Sequence, residues 1–248
     1  LEAIRASTAW RTSTGAGTTV AVIDTGLDMT HPDLAGQTVS AGYVWQFGTE
    51  NGRTVGRLRP ATATPGLVQQ LDLIGHGTHV AGVIAGNPNG EGITGVAPGA
   101  RVIPINLAAA LTESTKMSRF ATAFTAAIDA AIRDGARVIN VSLGGAELEL
   151  PWQALPRSEQ ERTTIAASRR ICAAIERARM AGVITVVAAG NSAHDGNQRS
   201  DPGVCPAAIE VGAVGPSLQR AYFSNYNSRV DLTAPGAGIL SSTPARPD

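Results

Sequence analysis

Three polar residues stand where apolar or glycine-rich segments end, and their types suit acid–base chemistry. Asp24 follows the apolar run Val20–Ile23, and a carboxylate in that place needs a cationic or hydrogen-bonding partner. His76 has a glycine on either side, and the pKa of histidine suits proton transfer near neutral pH. Asn191 follows the run Val186–Gly190, and its amide could donate to a developing negative charge without titrating.

Each of these residues also has a simpler interpretation. Asp24 could form an Asx turn or a helix cap, and Asn191 could merely turn the chain. His76 and His79 lie three residues apart and could bind a metal. Helical zinc proteases, however, place two histidines four apart with a glutamate after the first, and that glutamate is missing here. We therefore expect His79 to be a packed, hydrogen-bonded helix residue.

Short apolar strands alternate with helices, and these elements must position the polar residues. Continuous apolar runs predict strands buried on both faces. The predicted strands are Thr18–Ile23, Arg101–Asn106, Arg137–Val141 and Val183–Ala188. The predicted helices are Thr78–Ala85, Ser118–Asp134 and Ser168–Ala181, the longer two ending at Gly135 and Gly182. This order favours an α/β fold, a three-layer sandwich with a mainly parallel central sheet, whose ligands bind beyond the carboxyl ends of the strands.

Two segments interrupt the alternation. Trp45–Leu73 is rich in glycine and proline and is expected to be a long surface loop. Ala146–Thr164 contains two prolines and several charges and is expected to be a second excursion. No internal repeat and no linker divides the sequence, so we expect residues 1–248 to form one domain.

Composition narrows the class of protein without identifying a reaction. Twenty Lys and Arg residues balance twenty Asp and Glu residues, without long runs of either sign. This balance argues against a nucleic-acid or polybasic membrane surface. The longest apolar stretches, such as Val183–Ala189, are too short to span a bilayer, and no signal-peptide pattern opens the chain, so any such peptide is expected to be already removed or missing. Gly15–Gly17 precedes a strand rather than following one, which is the wrong order for a dinucleotide site.

Seven motifs, in the family's order, resemble the subtilisin family of serine proteases. They are Val22–Gly26, His31–Leu34, Gly75–Gly82, Gly95–Pro98, Val141–Gly145, Ala189–Ser192 and Ala234–Gly236. The resemblance covers nearly the whole chain and implies a secreted endopeptidase, extracellular or periplasmic, that cleaves extended polypeptides through an acyl-enzyme. It implies that Asp24 orients His76, that His76 is the general base and then the general acid, and that Asn191 donates to the oxyanion.

The same resemblance assigns the substrate-binding residues. Ser142, Leu143 and Gly144 would pair with the substrate backbone as an added strand. The walls of the main specificity pocket would be Ser142–Gly145 and Ala188–Asn191, which include the substrate-binding residues Ala189 and Gly190. The small residues of these walls suggest a roomy pocket for large apolar side chains. A propeptide would be a partner during maturation.

The family's nucleophilic serine has no counterpart in the sequence. The family carries it on a Gly-Thr-Ser-Met-Ala helix start shortly after the stretch that matches Ala234–Gly236. Ser241 and Ser242 match earlier positions, and Ser192 lacks the context of a nucleophile. Three explanations remain: a nicked protein with the serine on a C-terminal fragment, a deliberate cut, or a natural pseudoprotease that only binds peptides. The intact Asp24, His76 and Asn191 favour the first two, and residues 1–248 alone are expected to be inactive.

The resemblance also implies a disulfide and a calcium ion. Some secreted bacterial members carry a disulfide at the places of Cys172 and Cys205, although the two could also be separate small buried residues. Asp33 and the loop Asn87–Ile93 match the places where the family binds a structural calcium ion. Carboxylate and carbonyl oxygens, which such a loop offers, are the ligands that suit this cation. The expected ligands in that loop are Asn87, Asn89, Glu91 and Ile93. Solvated turn residues are the alternative.

Overall fold

The computed structural model describes residues 1–61, 63–64, 67–68, 72–111, 117–144, 158–193, 197 and 201–244. The strands are β1 Thr19–Asp24, β2 Tyr43–Glu50, β3 Arg53–Pro60, β4 Ala63–Thr64, β5 Leu67–Val68, β6 Arg101–Asn106, β7 Val138–Val141, β8 Ile184–Ala188, β9 Ala208–Val214 and β10 Leu232–Pro235. The α-helices are α1 Ala6–Ala9, α2 His76–Ala85, α3 Ala108–Leu111, α4 Met117–Arg133 and α5 Glu159–Met180, and Pro32–Leu34 form a 3-10 turn. None of the described helices is both long and apolar enough to cross a membrane.

A mainly parallel sheet of eight strands organises the fold, in the order β10-β9-β8-β7-β1-β6-β2-β3. Among the described strands of this sheet, only the pair β2–β3 is antiparallel, while β4 and β5 form a separate antiparallel pair. Strand β1 lies between β7 and β6, where Ile23 pairs with Val141 on one side and Ile105 on the other. The carboxyl ends of β1, β7 and β8 therefore meet at one edge of the sheet, where ligands of such sheets bind.

Helices cover both faces of the sheet, which confirms the three-layer α/β prediction. Ala21 and Ile23 of β1 belong to the larger apolar core, which includes residues of α4 and α5. Val20 and Val22 point to the opposite face and pack in a second core with Ala85 of α2. Burial on both faces explains why β1 is continuously apolar. The assignment of residues 1–248 to one domain stays a prediction.

The predicted strands are found within one residue of their expected bounds, and α2 and α4 within two. The glycines after α4 and α5 have left-handed φ angles of 78° and 75°, as expected of helix ends. Helix α5, however, begins at Glu159 and not at Ser168, so the excursion predicted over Ala146–Thr164 is wrong from Glu159 onward. Ser158 Oγ accepts from Glu161 N and Glu161 Oε2 accepts from Ser158 N, which caps the helix. Residues 145–157 lie outside the described part of the chain.

The long loop predicted over Trp45–Leu73 is wrong for its first part, because β2 and β3 form a hairpin. Asn51 and Gly52 turn it with φ angles of 50° and 74°, both left-handed, as two-residue hairpin turns require. Trp45 is 3% exposed, and a Cβ at Gly56 would lie 2.2 Å from the indole ring. Glycine therefore makes room for the indole here. Positions 62, 65–66 and 69–71 of the predicted loop lie outside the described residues.

Candidate active site

Asp24 ends β1 and is buried at the carboxyl edge of the sheet. Its Oδ1 accepts a hydrogen bond from Thr25 N at 2.8 Å and lies 2.7 Å from His76 Nδ1. The backbone oxygen of Asp24 accepts from Leu107 N, which ties this strand end to the residue after β6. A buried carboxylate is costly without such donors, so its contacts make Asp24 more than a turn residue.

His76 opens α2, and its side chain remains 47% exposed while that of Asp24 is 1% exposed. Because a carboxylate only accepts hydrogen bonds, the neutral ring carries its proton on Nδ1 and leaves Nε2 able to accept one. The hydrogen bond to Asp24 is the largest cause that raises the pKa of His76 above its usual value. Burial opposes this change, and the charges of Asp24 and Asp72 add to it.

The glycine after His76 lets the helix approach the strand. A Cβ at Gly77 would lie 2.1 Å from the backbone oxygen of Gly26 and 3.2 Å from Asp24 Cβ. Gly75, on the other side, has a left-handed φ of 87°. The Gly-His-Gly pattern therefore fixes the distance between the imidazole and the carboxylate, rather than only exposing the histidine.

Three residues after β8 form the second part of the site. Asn191, with an exposed side chain, follows Ala189 and Gly190 at the carboxyl end of that strand. Strand β8 is separated from β1 by β7 alone, so roughly 10 Å of sheet separates the two strand ends. The predicted residues therefore lie on one edge, as expected from the positions of their strands.

Sequence analysis missed Asn225, which holds this loop in place. Its Nδ2 donates to Ala189 O at 3.0 Å, its Oδ1 accepts from Ser192 N at 2.7 Å, and its backbone N donates to Gly190 O at 3.0 Å. Asn225 is only 2% exposed. The one signal in the sequence is a polar residue in a short irregular segment. That signal does not distinguish a buried residue that holds a loop by hydrogen bonds from a residue in a surface turn.

A pocket of about 240 Å³ opens beside these residues. It brings together the predicted Ser142, Ala189, Gly190 and Asn191, and it is completed by Gly212 and Gly236 from the β9 and β10 side. Leu143 and Gly144 are not among its lining residues: the first is buried and the second is exposed. The pocket therefore has room for a side chain, while Gly144 is an exposed residue outside its lining.

The predicted calcium ligands lie around Asp33, which is 2% exposed. Asn87 N donates to Asp33 O at 2.6 Å, and Ile93 N donates to Asp33 Oδ2 at 3.3 Å. A Cβ at Gly92 would lie 2.2 Å from Asp33 Oδ1, so the loop closes tightly over the carboxylate.

The donor set fits a hard cation only in part. The buried carboxylate and the surrounding loop suit calcium. However, Asn89 Oδ1 already accepts from Glu91 N at 2.9 Å, and Asp33 Oδ2 accepts from Ser242 Oγ at 2.7 Å. The Glu91 side chain is exposed.

Cys172 of α5 and Cys205, before β9, form a disulfide with an S–S distance of 2.12 Å. The alternative of two separate buried cysteines is therefore wrong. Among the described residues, the two sulfurs and Asp201 are the one group of three with metal-ligand spacing. Sulfurs joined in a disulfide are not thiolate ligands, so this group is structural here.

The fold and site define an α/β protein in which a buried carboxylate contacts an imidazole at the carboxyl edge of the sheet, with a pocket after β8 at the same edge. The sequence model of the Subtilase family matches residues 15–247, so the chain belongs to the subtilase family. It is 33% identical to subtilisin E of Bacillus subtilis (strain 168) over 233 residues, which cover 93% of this chain and 50% of subtilisin E. It is 32% identical to an intracellular serine protease of Paenibacillus polymyxa over 248 residues, 98% of this chain and 64% of that protein.

Solved structures agree with this family assignment. Fervidolysin from Fervidobacterium pennivorans, a keratinolytic enzyme related to subtilisin, superposes with a TM-score of 0.66 at 32% identity, covering 95% of this chain and 31% of fervidolysin. The MycP3 protease from the type VII (ESX-3) secretion system gives a TM-score of 0.69 at 29% identity, covering 97% of this chain and 64% of MycP3. The chain spans less than two thirds of the length of each of these relatives.

Proposed function

We propose that this chain forms most of the catalytic domain of a serine endopeptidase that cleaves extended polypeptides through an acyl-enzyme. The observation that supports this best is the 2.7 Å contact between His76 Nδ1 and the buried Asp24 Oδ1. Asp24 holds the ring in one tautomer and stabilises the imidazolium. His76 Nε2 takes the proton of a serine hydroxyl and then gives it to the leaving amine, while Asn191 donates to the oxyanion.

The nucleophilic serine is supplied, in this proposal, by a C-terminal segment or fragment beyond residue 248. Serines close to α2 have other roles: Ser241 Oγ donates to His79 O at 2.7 Å, and Ser242 Oγ donates to Asp33 Oδ2 at 2.7 Å. His79 itself is hydrogen-bonded through Nε2 to Ile239 O at 3.2 Å, which fits a structural residue. Residues 1–248 alone are therefore proposed to be inactive.

The substrate is proposed to bind as an extended strand along Ser142–Gly144, with one side chain in the adjacent pocket. A backbone that follows β7 beyond its carboxyl end offers amide and carbonyl groups in strand spacing. Gly190, Gly212 and Gly236 present no side chains into the pocket, so its volume is available to a large apolar residue. This geometry favours proteins or peptides as substrates, with a propeptide occupying the same strand site during maturation.

Secretion and a structural calcium complete the proposal. A disulfide is typical of proteins outside the reducing cytosol, whether extracellular or periplasmic. Calcium is proposed at Asp33 and the loop Asn87–Ile93, where it would add a cation to a buried carboxylate and contribute to stability rather than to the reaction. The balanced charge offers no support for a nucleic-acid or membrane partner.

A fluorophosphonate probe tests the proposed function on the full-length protein, with the labelled peptide identified by mass spectrometry. We expect one labelled serine outside residues 1–248 and loss of labelling in His76→Ala. The matched control is His79→Gln, in the same helix, which can keep a hydrogen bond to Ile239 O and should be labelled. A labelled serine within residues 1–248 would contradict the assignment of the nucleophile. Peptide binding without any labelling would favour the pseudoprotease.

A further inference from the structure

We propose that Asp72 is a positioning residue for His76, because it fixes the start of α2 against the end of β1 and places a second negative charge near the imidazole. The inference rests on the proposed role of His76 as the general base. Asp72 was not identified by sequence analysis, and it lies in the segment just before α2.

The carboxylate of Asp72 is buried, with Asp72 only 2% exposed, and it accepts two hydrogen bonds on each oxygen. Its Oδ1 accepts from Thr25 Oγ1 and from Gly75 N, both at 2.8 Å. Its Oδ2 accepts from Thr78 N and from Thr78 Oγ1, both at 2.8 Å. The N-cap residue of α2 is Gly75, which has no side chain to cap the helix. Asp72 therefore accepts the N–H of the N-cap residue Gly75 and that of Thr78 in the first turn of the helix that carries the catalytic histidine.

Thr25 extends this contact to the catalytic carboxylate. Its hydroxyl donates to Asp72 and accepts from Gly77 N at 3.0 Å, and its backbone N donates to Asp24 Oδ1 at 2.8 Å. One continuous set of hydrogen bonds therefore joins Asp24, Thr25 and Asp72 to the residues on both sides of His76. A change at Asp72 would move the imidazole relative to Asp24 without touching either residue.

Asp72 also contributes charge. Burial works against its ionisation, but the hydrogen bonds from Thr78, Thr25 and Gly75 outweigh burial and lower the pKa of its carboxyl. Asp24 and Asp72 are the two carboxylates whose charges raise the pKa of His76. The other charged or titratable groups on the elements around α2 are Asp28 after β1, His31 and Asp33 at the 3-10 turn, and Arg101 at the opposite end of β6.

The test compares Asp72→Asn with Thr25→Val in the full-length protein, by peptide hydrolysis across pH and by NMR titration of the His76 ring. Asp72→Asn removes the charge and two acceptor positions, so we expect kcat to fall about 10- to 100-fold with little change in KM. Its acid limb of kcat/KM should move to lower pH, because the pKa of His76 falls when a nearby negative charge is removed. Thr25→Val breaks the hydrogen-bond chain at constant charge, so kcat should fall while the His76 pKa stays closer to that of the wild type. Thr25→Ser restores the hydroxyl and should recover most of that loss.

Three results would overturn the inference. The first is an unchanged kcat in both Asp72→Asn and Thr25→Val. The second is an Asp72→Asn variant that loses activity but keeps the wild-type pH profile, because that is a structural role alone. The third is an unchanged His76 titration by NMR in Asp72→Asn. The NMR titration needs no turnover, so it tests Asp72 even if the protein hydrolyses no peptide, and the Thr25 variants keep the test open if Asp72→Asn does not fold.

Discussion

Asp201 offers a quantitative test of the structure, because it is a carboxyl group without any exposed surface. Burial raises its pKa from 3.8 to about 6, although a hydrogen bond donated by Ser168 Oγ to Oδ1 at 2.9 Å acts in the opposite direction. Its Oδ2 is buried and has no hydrogen-bond partner among the described residues. The folded protein therefore favours the protonated form of this residue.

The sign of the stability effect follows from the two pKa values. Well below pH 3.8 the group is protonated in both the folded and the unfolded chain, so burial of the charge costs nothing. Between 3.8 and about 6 the unfolded chain releases the proton first, and the free energy of unfolding falls as the pH rises. Above that window the cost is constant at about 3 kcal/mol.

Replacing Asp201 by Asn removes the charge and keeps an oxygen for Ser168 Oγ. We expect Asp201→Asn and the wild type to melt together at about pH 3, below the pKa of the unfolded carboxyl. Near pH 8 the variant should be more stable by up to about 3 kcal/mol, which corresponds to about 6–12 °C in Tm for a chain of this size. The assay is thermal unfolding followed by circular dichroism across this pH range, with both proteins in a His76→Ala background to prevent self-digestion.

Ser168→Ala is the matched control for Asp201→Asn. It removes the hydrogen bond that favours the carboxylate, so the pKa of Asp201 should rise further and the gain from Asp201→Asn should become larger. A difference in Tm that does not change with pH would refute the reasoning, because it would separate the effect from ionisation. A less stable Asp201→Asn variant near pH 8 would refute it as well.

Further substitutions test the site and its supports. Under the proposed mechanism, Asp24→Asn should lower kcat for peptide hydrolysis about 10⁴-fold, the loss typical of this change in Ser-His-Asp enzymes, and a loss below about 10-fold would contradict the proposed role. Gly77→Ala places a Cβ against Gly26 O and should lower the free energy of unfolding by about 1–3 kcal/mol in denaturant titrations; an unchanged midpoint would contradict the close approach. Replacing both cysteines of the Cys172–Cys205 bridge by serine opens a sequence separation of 33 residues and should cost about 3–4 kcal/mol, measured by non-reducing thermal unfolding against the wild type. A calcium chelator should lower the Tm of the wild type more than that of Asp33→Asn, and equal decreases would argue against calcium at that carboxylate.

The layers of the fold were predictable because a strand that is buried on both faces has a continuous apolar sequence. Strand β1 sends alternate side chains into two different cores, so every residue of its middle is apolar. The hairpin β2–β3 was harder to predict. Gly56 is needed there because the Trp45 ring occupies the place of a side chain, but in the sequence it resembles a loop glycine. The pair Asn51-Gly52, which is typical of two-residue hairpin turns, was the sequence feature that indicated the hairpin. The early start of α5 had its own signal as well, in the capping pair Ser158 and Glu161.

The residues of the site also differ in how far the sequence alone could predict them. Asp24 and Asn191 could be predicted as candidates because Asp24 is the last residue of β1 and Asn191 is the third residue after β8, so neighbours in sequence set their places at the sheet edge. Asp72 and Asn225 contact residues 47 and 36 positions away in the sequence. Asn225 contacts Ala189 O and Ser192 N, and half of the partners of Asp72 are likewise backbone groups, which every residue type carries. No pattern of side chains reveals such a contact before the chain is folded. Asn225 fixes its loop through these main-chain groups, whereas Asp72 also needs the hydroxyls of Thr25 and Thr78. Asp72 therefore supports the helix start that carries His76, and Asn225 supports the loop that carries Asn191.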